Sequence, residues 1–470
     1  MPVPETLGPR VALHLLNRAG YGPRPGQIAN VLDQGPTKWI EEQLEPGADP
    51  ELDTRLAPYP TIAYPTSQVL SLYNADNRTI NVILDEFFAA KVVRAVHARN
   101  QLQEVLVDFW FNHFNVFVND GFDRYAISSY ERDAVRPHVL GRFRELLGAV
   151  TLHPAMLYYL DNYLNTVPRQ QGGRTVGGIN ENHGRELLEL HTVGVDAGYT
   201  QTDVVEASRC LTGHGIDNIG QTGNYLYRAA NHDNGAKQVF GLAVASGGGE
   251  GDVQRLLDHL AVHPATAHFI SRKLAQRFLA DDPAEAFVSR LADVFLRTDG
   301  DLREVAKALF GSAEFWAEAF GTGKPKTGFE YVVSTLRAAG SEVNNSRVVR
   351  TAIQDAGMPL YACNPPTGYS NRGADWLNPS AQLYRMNFGL DLAAGAVAGV
   401  GVDIPGLIRN GGGDPGNPSS AAEAINRVVF GRTLTAASLA AAGRVTSTSG
   451  VPVATRVAGL LFAGPEMQVR

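Results

Sequence analysis

"GDVQRLLDHLAVHPATAHFISRKLAQRFLADDPAEAFVSRLADVFLRTDGDLREVAKALFGSAEFW", residues 251–316, is the stretch that decides the fold. Its apolar residues recur every three or four positions, which is the period of an amphipathic α-helix. Turn-forming residues at 281–283 (Asp-Asp-Pro) and 298–300 (Thr-Asp-Gly) interrupt that pattern. The stretch therefore predicts a run of four helices with clear stops.

The same helical period dominates the rest of the chain, and the alternation typical of strands is scarce. We expect one long helix from about Asn81 to Phe117 and another from about Asn180 to Val193, the latter ended by Gly194. A small hairpin is the most that the pattern offers between Gly220 and Val244. The sequence thus predicts an all-α fold, a large multi-helix assembly with long loops and at most a small β-hairpin.

A chain of 470 residues exceeds one simple core, so several subdomains are expected. Three segments read as loops: 166–178 as a mobile loop, 363–380 as a long loop, and 409–420 as a flexible linker. We divide the chain into an N-terminal helical cap region (1–78), central helices that carry the site (79–245), a C-terminal helical region with the 363–380 loop (246–400), and a linker with a terminal helical pair (409–470).

Composition excludes several classes of protein. The formal charge is −7 and no long basic run occurs, so the chain lacks the patch that binding of nucleic acid by phosphate neutralisation requires. Cys210 and Cys363 are too few for a disulfide framework or a cysteine zinc module. No apolar run approaches the roughly 18 residues of a membrane span, and no signal peptide is visible. We expect a soluble protein, either cytoplasmic or exported after removal of a leader.

The segment "GGINENHGRELLELHTVGVDAGYTQTD", residues 177–203, interleaves charged residues with leucines. Glu181, Arg185 and Glu189 are spaced four residues apart, which predicts Arg185 between the two glutamates with Glu186 beside them. One arginine cannot neutralise three carboxylates in a dry core, so one carboxylate is expected to have a raised pKa or to face water or a metal. The alternative is a buried network that only holds helices in register.

A second polar stripe runs along the predicted long helix and ends in "DFWFNHFNVF", residues 108–117. Aromatic faces beside amides and a carboxylate are typical of sites for sugars or other hydroxylated ligands. The competing interpretation is a solvated stripe on an amphipathic helix.

These two segments and the 363–380 loop define the predicted site. Glu186 and Glu189 are candidates for acid–base catalysis, with Asp161 or Asp108 opposing them. The two glutamates are too close in sequence to flank a scissile bond, so we expect one to orient the site and the other to pair with an aspartate. His113 and His191 are candidates for hydrogen bonding or proton transfer. The predicted substrate-binding residues are Trp110, Asn112, Asn162, Asn182, Arg185, His214, Tyr369 and Trp376.

Several motifs resemble those of the bacterial proteins grouped as domain of unknown function 1800. The resemblance runs from "HLLNRAGYGPRPGQI" through "FWFNHFNV", "YLDN", "NENHGRELLELHTVGVDAGYTQTDV" and "LTGHGI" to the closing "LLFAGPEMQ". His183, Gly184 and Met467 are departures from the usual pattern. The resemblance implies a large α-helical protein, often with a processed leader, and no particular activity. It places these residues in family motifs: Asn112, His113, Asp161, Asn162, Glu181, Arg185, Glu186, Glu189 and His191.

The leading hypothesis from the residues is a hydrolase acting on a polysaccharide-like substrate through paired carboxylates, as in glycoside hydrolases. Its partner would be a carbohydrate or another hydroxylated polymer, and no cofactor is expected, although a divalent metal is possible. A second hypothesis is a metal-dependent hydrolase or oxidase with Glu and His ligands. A third is a non-catalytic helical scaffold or binding protein with a buried polar network.

Overall fold

A computed structural model describes residues 8–447 and 450–470. Within these ranges α-helices dominate, which confirms the predicted all-α fold. Residues 1–7 of the predicted cap region lie outside the described residues. The N-terminal stretch in which no signal peptide was visible therefore lies partly outside them. The helices are α1 Pro9–Arg18, α2 Gln27–Gln34, α3 Pro36–Leu44, α4 Pro50–Leu56, α5 Thr66–Ala75, α6 Thr79–His97, α7 Gln101–His113, α8 Asp123–Ser129, α9 Phe143–Thr151, α10 Pro154–Tyr159, α11 Asn182–Glu186, α12 Gln201–Leu211, α13 Gly251–Ala261, α14 Pro264–Phe278, α15 Glu285–Arg297, α16 Leu302–Phe310, α17 Ala313–Ala317, α18 Gly328–Ala338, α19 Ser346–Asp355, α20 Pro379–Ala393, α21 Ile404–Asn410, α22 Pro418–Val428, α23 Ala436–Gly443 and α24 Val453–Ala463.

The decisive stretch forms α13 to α16 as predicted, followed by the short α17. Two of these helices, α14 and α16, start at capping residues. His263 Nδ1 accepts a hydrogen bond from the Ala265 amide at the start of α14, and Pro264 occupies the first helical position. Asp301 caps α16 by accepting from the amides of Arg303 and Glu304.

Strands are short and occur as antiparallel pairs in the described ranges. The strands are β1 Thr166–Gln171, β2 Arg174–Gly178, β3 His214–Asp217, β4 Asn224–Tyr227, β5 Lys237–Val239, β6 Leu242–Val244, β7 Glu342–Val343 and β8 Val400–Gly401. They pair as β1–β2, β3–β4, β5–β6 and β7–β8. The segment 166–178 is therefore a hairpin, and its assignment as a loop was wrong. Its turn consists of Gly172 and Gly173, both with positive φ, and its strands are polar, so no apolar alternation marked them.

The predicted long helix from Asn81 to Phe117 is two helices, and the prediction of one was wrong. The chain breaks at Ala98, whose ψ of 139° is extended. Gln101 fills the break, because its side-chain amide donates to the carbonyls of Ala95 and Ala98 at 3.2 and 2.8 Å. The break turns α7 back along α6, so that Lys91 of α6 lies 3.0 Å from Asp108 of α7.

The hydrophobic core is continuous across all four predicted segments, from Val11 to Met467. Its centre is α7, where Trp110 is fully buried against Phe114 and Phe143. The segment after residue 409 contains three helices, α22 to α24, instead of the predicted pair. The four-part division of the chain stays a prediction.

Candidate carboxylate site on the helix at 182–191

The helix that carries the predicted acids has two parts. It starts as α11 and continues as a π-helical turn, Leu187–His191. Gly184 brings α11 close to α12, since a β-carbon there would lie 2.1 Å from the Ser208 hydroxyl. Leu187 and Leu188 are buried on the same side. The leucines thus fix the helix against the core and leave its glutamates half-exposed at the rim.

Arg185 does not lie between two glutamates. It forms an ion pair with Glu181 at 3.0 Å and a hydrogen bond to the Gln201 side chain, which in turn donates to Glu181. The π-helical turn winds the chain more loosely than 3.6 residues per turn, which rotates Glu189 away from Arg185. The predicted sandwich was wrong for this reason, and Arg185 is committed to Glu181.

Glu186 and Glu189 form an adjacent pair of acids without a hydrogen-bonded cation among the described residues. Glu186 is half-buried; burial raises its pKa, the charge of Glu189 raises it further, and Arg185 offsets part of the effect. Glu189 accepts a hydrogen bond from the Tyr199 hydroxyl at 3.3 Å. The raised pKa of Glu186 favours its protonated form.

Two buried histidines lie beneath this pair. The ring centroids of His183 and His191 are 6.4 Å apart, and their ring nitrogens have no hydrogen-bond partner within the described ranges. Burial lowers the pKa of His183 to about 3 and that of His191 well below its usual value. Both rings are therefore neutral, and neither faces a carboxylate of the pair closely enough to form an ion pair.

His113 connects this helix to α14. Its Nε2 lies 3.1 Å from the carbonyl oxygen of His191, so Nε2 must carry the proton and Nδ1 is left as an acceptor. The amine of Lys273 lies 3.2 Å from that Nδ1 and 5.0 Å from the ring of Phe269. Burial lowers the pKa of Lys273 to about 8. His113 orients its neighbours and is not free to act as a base.

Lys273 is not among the site residues predicted from the sequence, although its amine contacts His113 beside the helix at 182–191. The available signal was its spacing. Phe269, Lys273 and Arg277 follow each other at intervals of four on α14, and an aromatic residue on that face indicates burial.

Asp108 does not oppose the glutamates. It is paired with the buried amine of Lys91, and Lys91 belongs to a larger network of buried charges. At its centre Glu131 lies 3.1 Å from Arg136 and 2.5 Å from the Tyr361 hydroxyl, and Arg136 also binds both oxygens of Glu104. Asp108 is therefore a structural ion-pair partner.

The charges of this network compensate one another. Burial alone would raise the pKa of Glu131, but Lys91, Arg136 and Arg94 outweigh burial and lower the pKa to about 2. Glu131 is only 2% exposed, and it remains ionised because cations surround it. We call this set of Lys91, Arg94, Glu104, Asp108, Glu131, Arg136 and Tyr361 the buried ion network.

Asp161 lies apart from the helix at 182–191 and is exposed. Its φ of 57° puts it in the left-handed region, at the turn after α10. Its charge acts on Asp120, whose pKa is raised by burial first and by Asp161 second. No hydrogen bond or ion pair joins Asp161 to Glu186 or Glu189 in the described part of the chain, so its opposing role is not supported.

The aromatic patch at 108–117 is core and anchor rather than a ligand platform. Trp110 is fully buried, so its assignment to substrate binding was wrong. Asn112 holds the 363–380 loop, since its side chain donates to the Tyr369 carbonyl at 2.7 Å and accepts from the Tyr369 amide at 2.6 Å. Asn115 donates to the carbonyls of Cys363 and Pro365, both at 2.9 Å. The amides of the stripe thus fix a loop.

The loop aromatics are also engaged. The Trp376 indole is buried and donates to the Ser370 carbonyl at 3.0 Å, while the Tyr369 hydroxyl donates to Pro359 at 2.7 Å. Tyr369 and Trp376 pack against each other with ring centroids 5.8 Å apart. Tyr369 is only half-buried, and both residues line a small cavity together with Asp108 and Asn112, so their predicted contact with substrate stays a prediction.

Of the other predicted binding residues, Asn162 and His214 form hydrogen bonds within the fold, whereas Asn182 is half-exposed. Asn162 is buried and donates to the carbonyls of Leu211 and His214, so it is structural. His214 starts β3 instead of lying on a loop, and its Nδ1 contacts the Tyr225 hydroxyl at 2.8 Å. Asn182 is half-exposed on α11, on the helix that carries Glu186 and Glu189.

Among residues 8–447 and 450–470, no group of three or more His, Cys, Asp or Glu side chains is arranged to hold a metal ion. Cys210 and Cys363 are both buried and free. No helix in the same ranges has the length and apolar character that crossing a membrane requires.

The geometry defines a large helical protein with an uncompensated pair of acids on a partly exposed helix. The family described as "Protein of unknown function (DUF1800)" matches residues 14–469, and the chain belongs to this family. No curated protein and no solved structure matches the chain.

Proposed function

We propose that the protein is a hydrolase of a hydroxyl-rich polymer, such as a polysaccharide, in which Glu186 and Glu189 form the acid–base pair. One observation carries the proposal: the two carboxylates are adjacent and half-exposed, and the nearest arginine is committed to Glu181. Uncompensated acids with a raised pKa cluster at functional sites. Asn182 and Tyr199 provide the amide and hydroxyl groups that bind substrate hydroxyls.

The roles follow from the two environments. Glu189, hydrogen-bonded to Tyr199, accepts a proton from water, and the water oxygen bonds to the electrophilic carbon. Glu186 donates its proton to the leaving-group oxygen as the bond between that oxygen and the carbon breaks. Glu189 then holds a proton and Glu186 is ionised. One proton transfer between the neighbouring carboxylates restores the starting state.

The position of both acids on one helix bears on which bond is cleaved. Glycoside hydrolases place two carboxylates on opposite sides of the scissile bond. Asp108 is neutralised by Lys91, and no contact brings Asp161 to the pair. Two acids on one side suit the addition of water to a carbonyl carbon, where the entering and leaving oxygens bond to the same atom. We therefore propose ester bonds on such a polymer as a second candidate beside the glycosidic bond.

Hydrolysis of a polymer panel tests both forms of the proposal. Purified protein would be incubated with cellulose, xylan, chitin, starch and acetylated xylan, with reducing ends and released acetate measured separately. Glu186→Gln and Glu189→Gln are expected to lower the rate by roughly 10²–10⁴-fold, the contribution of a general acid or base. The rate should follow a bell-shaped dependence on pH.

Glu206→Gln is the matched control. Glu206 is also a half-buried glutamate on a helix, but Arg209 neutralises it at 2.8 Å, and we expect the control to keep wild-type activity. Absence of both products from every polymer, or full activity of Glu186→Gln, would contradict the proposal. Reducing ends indicate glycosidic cleavage, and acetate alone indicates an esterase.

A further inference from the structure

A cleft with a volume of about 390 Å³ lies between α5, α8 and α10, away from the carboxylate helix. Its size falls within the range of small-ligand sites, roughly 300–1,000 Å³. Tyr73 of α5 and Tyr158 of α10 line opposite parts of it, with Phe122 and Tyr125 between them. None of these residues has a role in the proposed acid–base chemistry.

The aromatic rings at the cleft form a continuous ladder. Ring centroids are 4.8 Å apart for Tyr73 and Tyr125, and 6.5 Å apart for Tyr125 and Phe122. The ladder continues at 5.4 Å from Phe122 to Tyr158, whose ring stacks at 5.0 Å on Tyr163, a residue outside the cleft lining. The four tyrosines are only partly buried, so each has apolar ring surface next to a polar hydroxyl.

One backbone position makes this ladder possible. Gly121 has a positive φ of 41°, and a β-carbon there would lie 2.4 Å from the Tyr158 hydroxyl. The bare glycine lets the tyrosine ring lie against the backbone at the floor of the cleft. The ring of Tyr158 is thereby held in place before any ligand arrives.

Polar groups at the rim complement the rings. Asn119 is exposed at the cleft, and Asn74 donates to the Gly220 carbonyl at 2.9 Å across its edge. The Nε of Arg124 is buried and has no hydrogen-bond partner among residues 8–447 and 450–470. Arg124 itself is half-buried and lines the cleft, so the other nitrogens of its guanidinium are the donors available to a ligand.

We propose that this cleft binds an oligosaccharide, with pyranose rings stacked on the tyrosines and their hydroxyl groups bonded to Asn119 and Arg124. A pyranose has an apolar face of C–H groups and an equatorial belt of hydroxyls. Such a ligand needs aromatic faces together with amide and guanidinium groups at the edge, which is the combination found here. A ladder of several rings suits several consecutive sugar units.

The combination of aromatics and amides that the sequence suggested at 108–117 therefore occurs on a different surface. The aromatic side chains of α7 are buried in the core. The tyrosines between residues 73 and 163 come from four separate segments, so no local sequence motif marks them. The inference does not rest on the acid–base pair, since binding requires no cleavage.

Isothermal titration calorimetry with defined hexasaccharides tests the proposal. The probes are cellohexaose, chitohexaose, maltohexaose and xylohexaose, each titrated into the Glu186→Gln chain so that no hydrolysis interferes. We expect at least one to bind with a Kd of about 1 mM or tighter. Tyr73→Ala should weaken that binding at least about tenfold, whereas Tyr73→Phe, which keeps the ring, should retain most of it.

Tyr384→Ala is the matched control. Tyr384 is a partly buried tyrosine on α20, outside the cleft, and its replacement should leave the Kd unchanged. The proposal is overturned if none of the four probes binds, or if Tyr73→Ala, folded by circular dichroism, binds as tightly as the parent. Loss of binding in Tyr384→Ala to the same degree would overturn it as well. Polymer hydrolysis without hexasaccharide binding would reject the cleft and leave the acid–base pair standing.

Discussion

The buried ion network and the Glu186–Glu189 pair use the same residue types in opposite ways. Glu131 is more deeply buried than Glu186, yet its pKa is lowered to about 2, whereas the pKa of Glu186 is raised. The difference lies in the cations. Arg136 and its neighbours surround Glu131, while Arg185 is bound to Glu181 and Gln201. Charge compensation, and not burial, therefore separates acids that hold the fold from acids available for chemistry.

The largest expected effect is the loss of an acid from the network. Glu131→Gln should lower the free energy of unfolding at neutral pH by about 3–5 kcal/mol, because the buried cations Lys91, Arg94 and Arg136 lose the charge of Glu131 and Arg136 keeps only Glu104 as its partner. Urea unfolding followed by circular dichroism measures this. The loss should shrink as the pH falls from 4.5 toward 2, where Glu131 itself becomes protonated and its contribution to stability disappears.

The control for this variant is an exposed pair on the same molecule. Lys307 and Glu304 lie 3.5 Å apart on the surface of α16, and Glu304→Gln should change stability by no more than about 1 kcal/mol. If the two variants lose equal stability, the network is not what distinguishes Glu131.

An intermediate effect is expected from His183, a buried histidine of the helix at 182–191. Burial, and secondarily the charge of His214, lower the pKa of His183 from 6.5 to about 3, so the folded state excludes a proton that the unfolded state binds below pH 6.5. Stability from this neutral ring is therefore present above pH 6.5 and is lost as the pH falls toward 3. His183→Gln removes that dependence.

The measurable quantity is the difference in unfolding free energy between wild type and His183→Gln at several pH values. The advantage of wild type should fall by about 1.4 kcal/mol for each unit of pH below 6.5. A difference that stays constant between about pH 6 and pH 4 would mean that His183 can be protonated in the folded protein.

How much of this was predictable depends on how local each feature is. The run α13 to α16 was predicted because capping residues and apolar periods act within a few positions. The break at Ala98 was not, since a side chain three residues later fills it. Trp110 and Asn112 were assigned to a ligand because the sequence does not show that Trp110 packs against Phe143 in the core or that Asn112 binds the 363–380 loop.

The candidate site shows the same limit. The excess of acids over cations in residues 181–189 was visible in the sequence, and the catalytic role of these acids stays a prediction. The pairing of Arg185 with Glu181 was predicted and occurs, whereas its expected contact with Glu189 does not, because helical geometry at 3.6 residues per turn does not hold through Leu187–His191. The contact of Lys273 with His113 and the tyrosine cleft both join segments that are far apart in sequence, and such contacts leave no local pattern.

The most direct test of the claim that Glu186 is kept uncompensated for chemistry is the free energy of unfolding of wild type and Glu186→Gln, at about pH 8 and about pH 4. Because the folded state raises the pKa of Glu186, ionisation destabilises it above the usual value of 4.5, and the penalty grows as the pH rises. The account predicts a variant at least as stable as wild type near pH 8, with the difference gone near pH 4. A loss of several kcal/mol near pH 8, like that expected for Glu131→Gln, would show that Glu186 is structural and contradict the account.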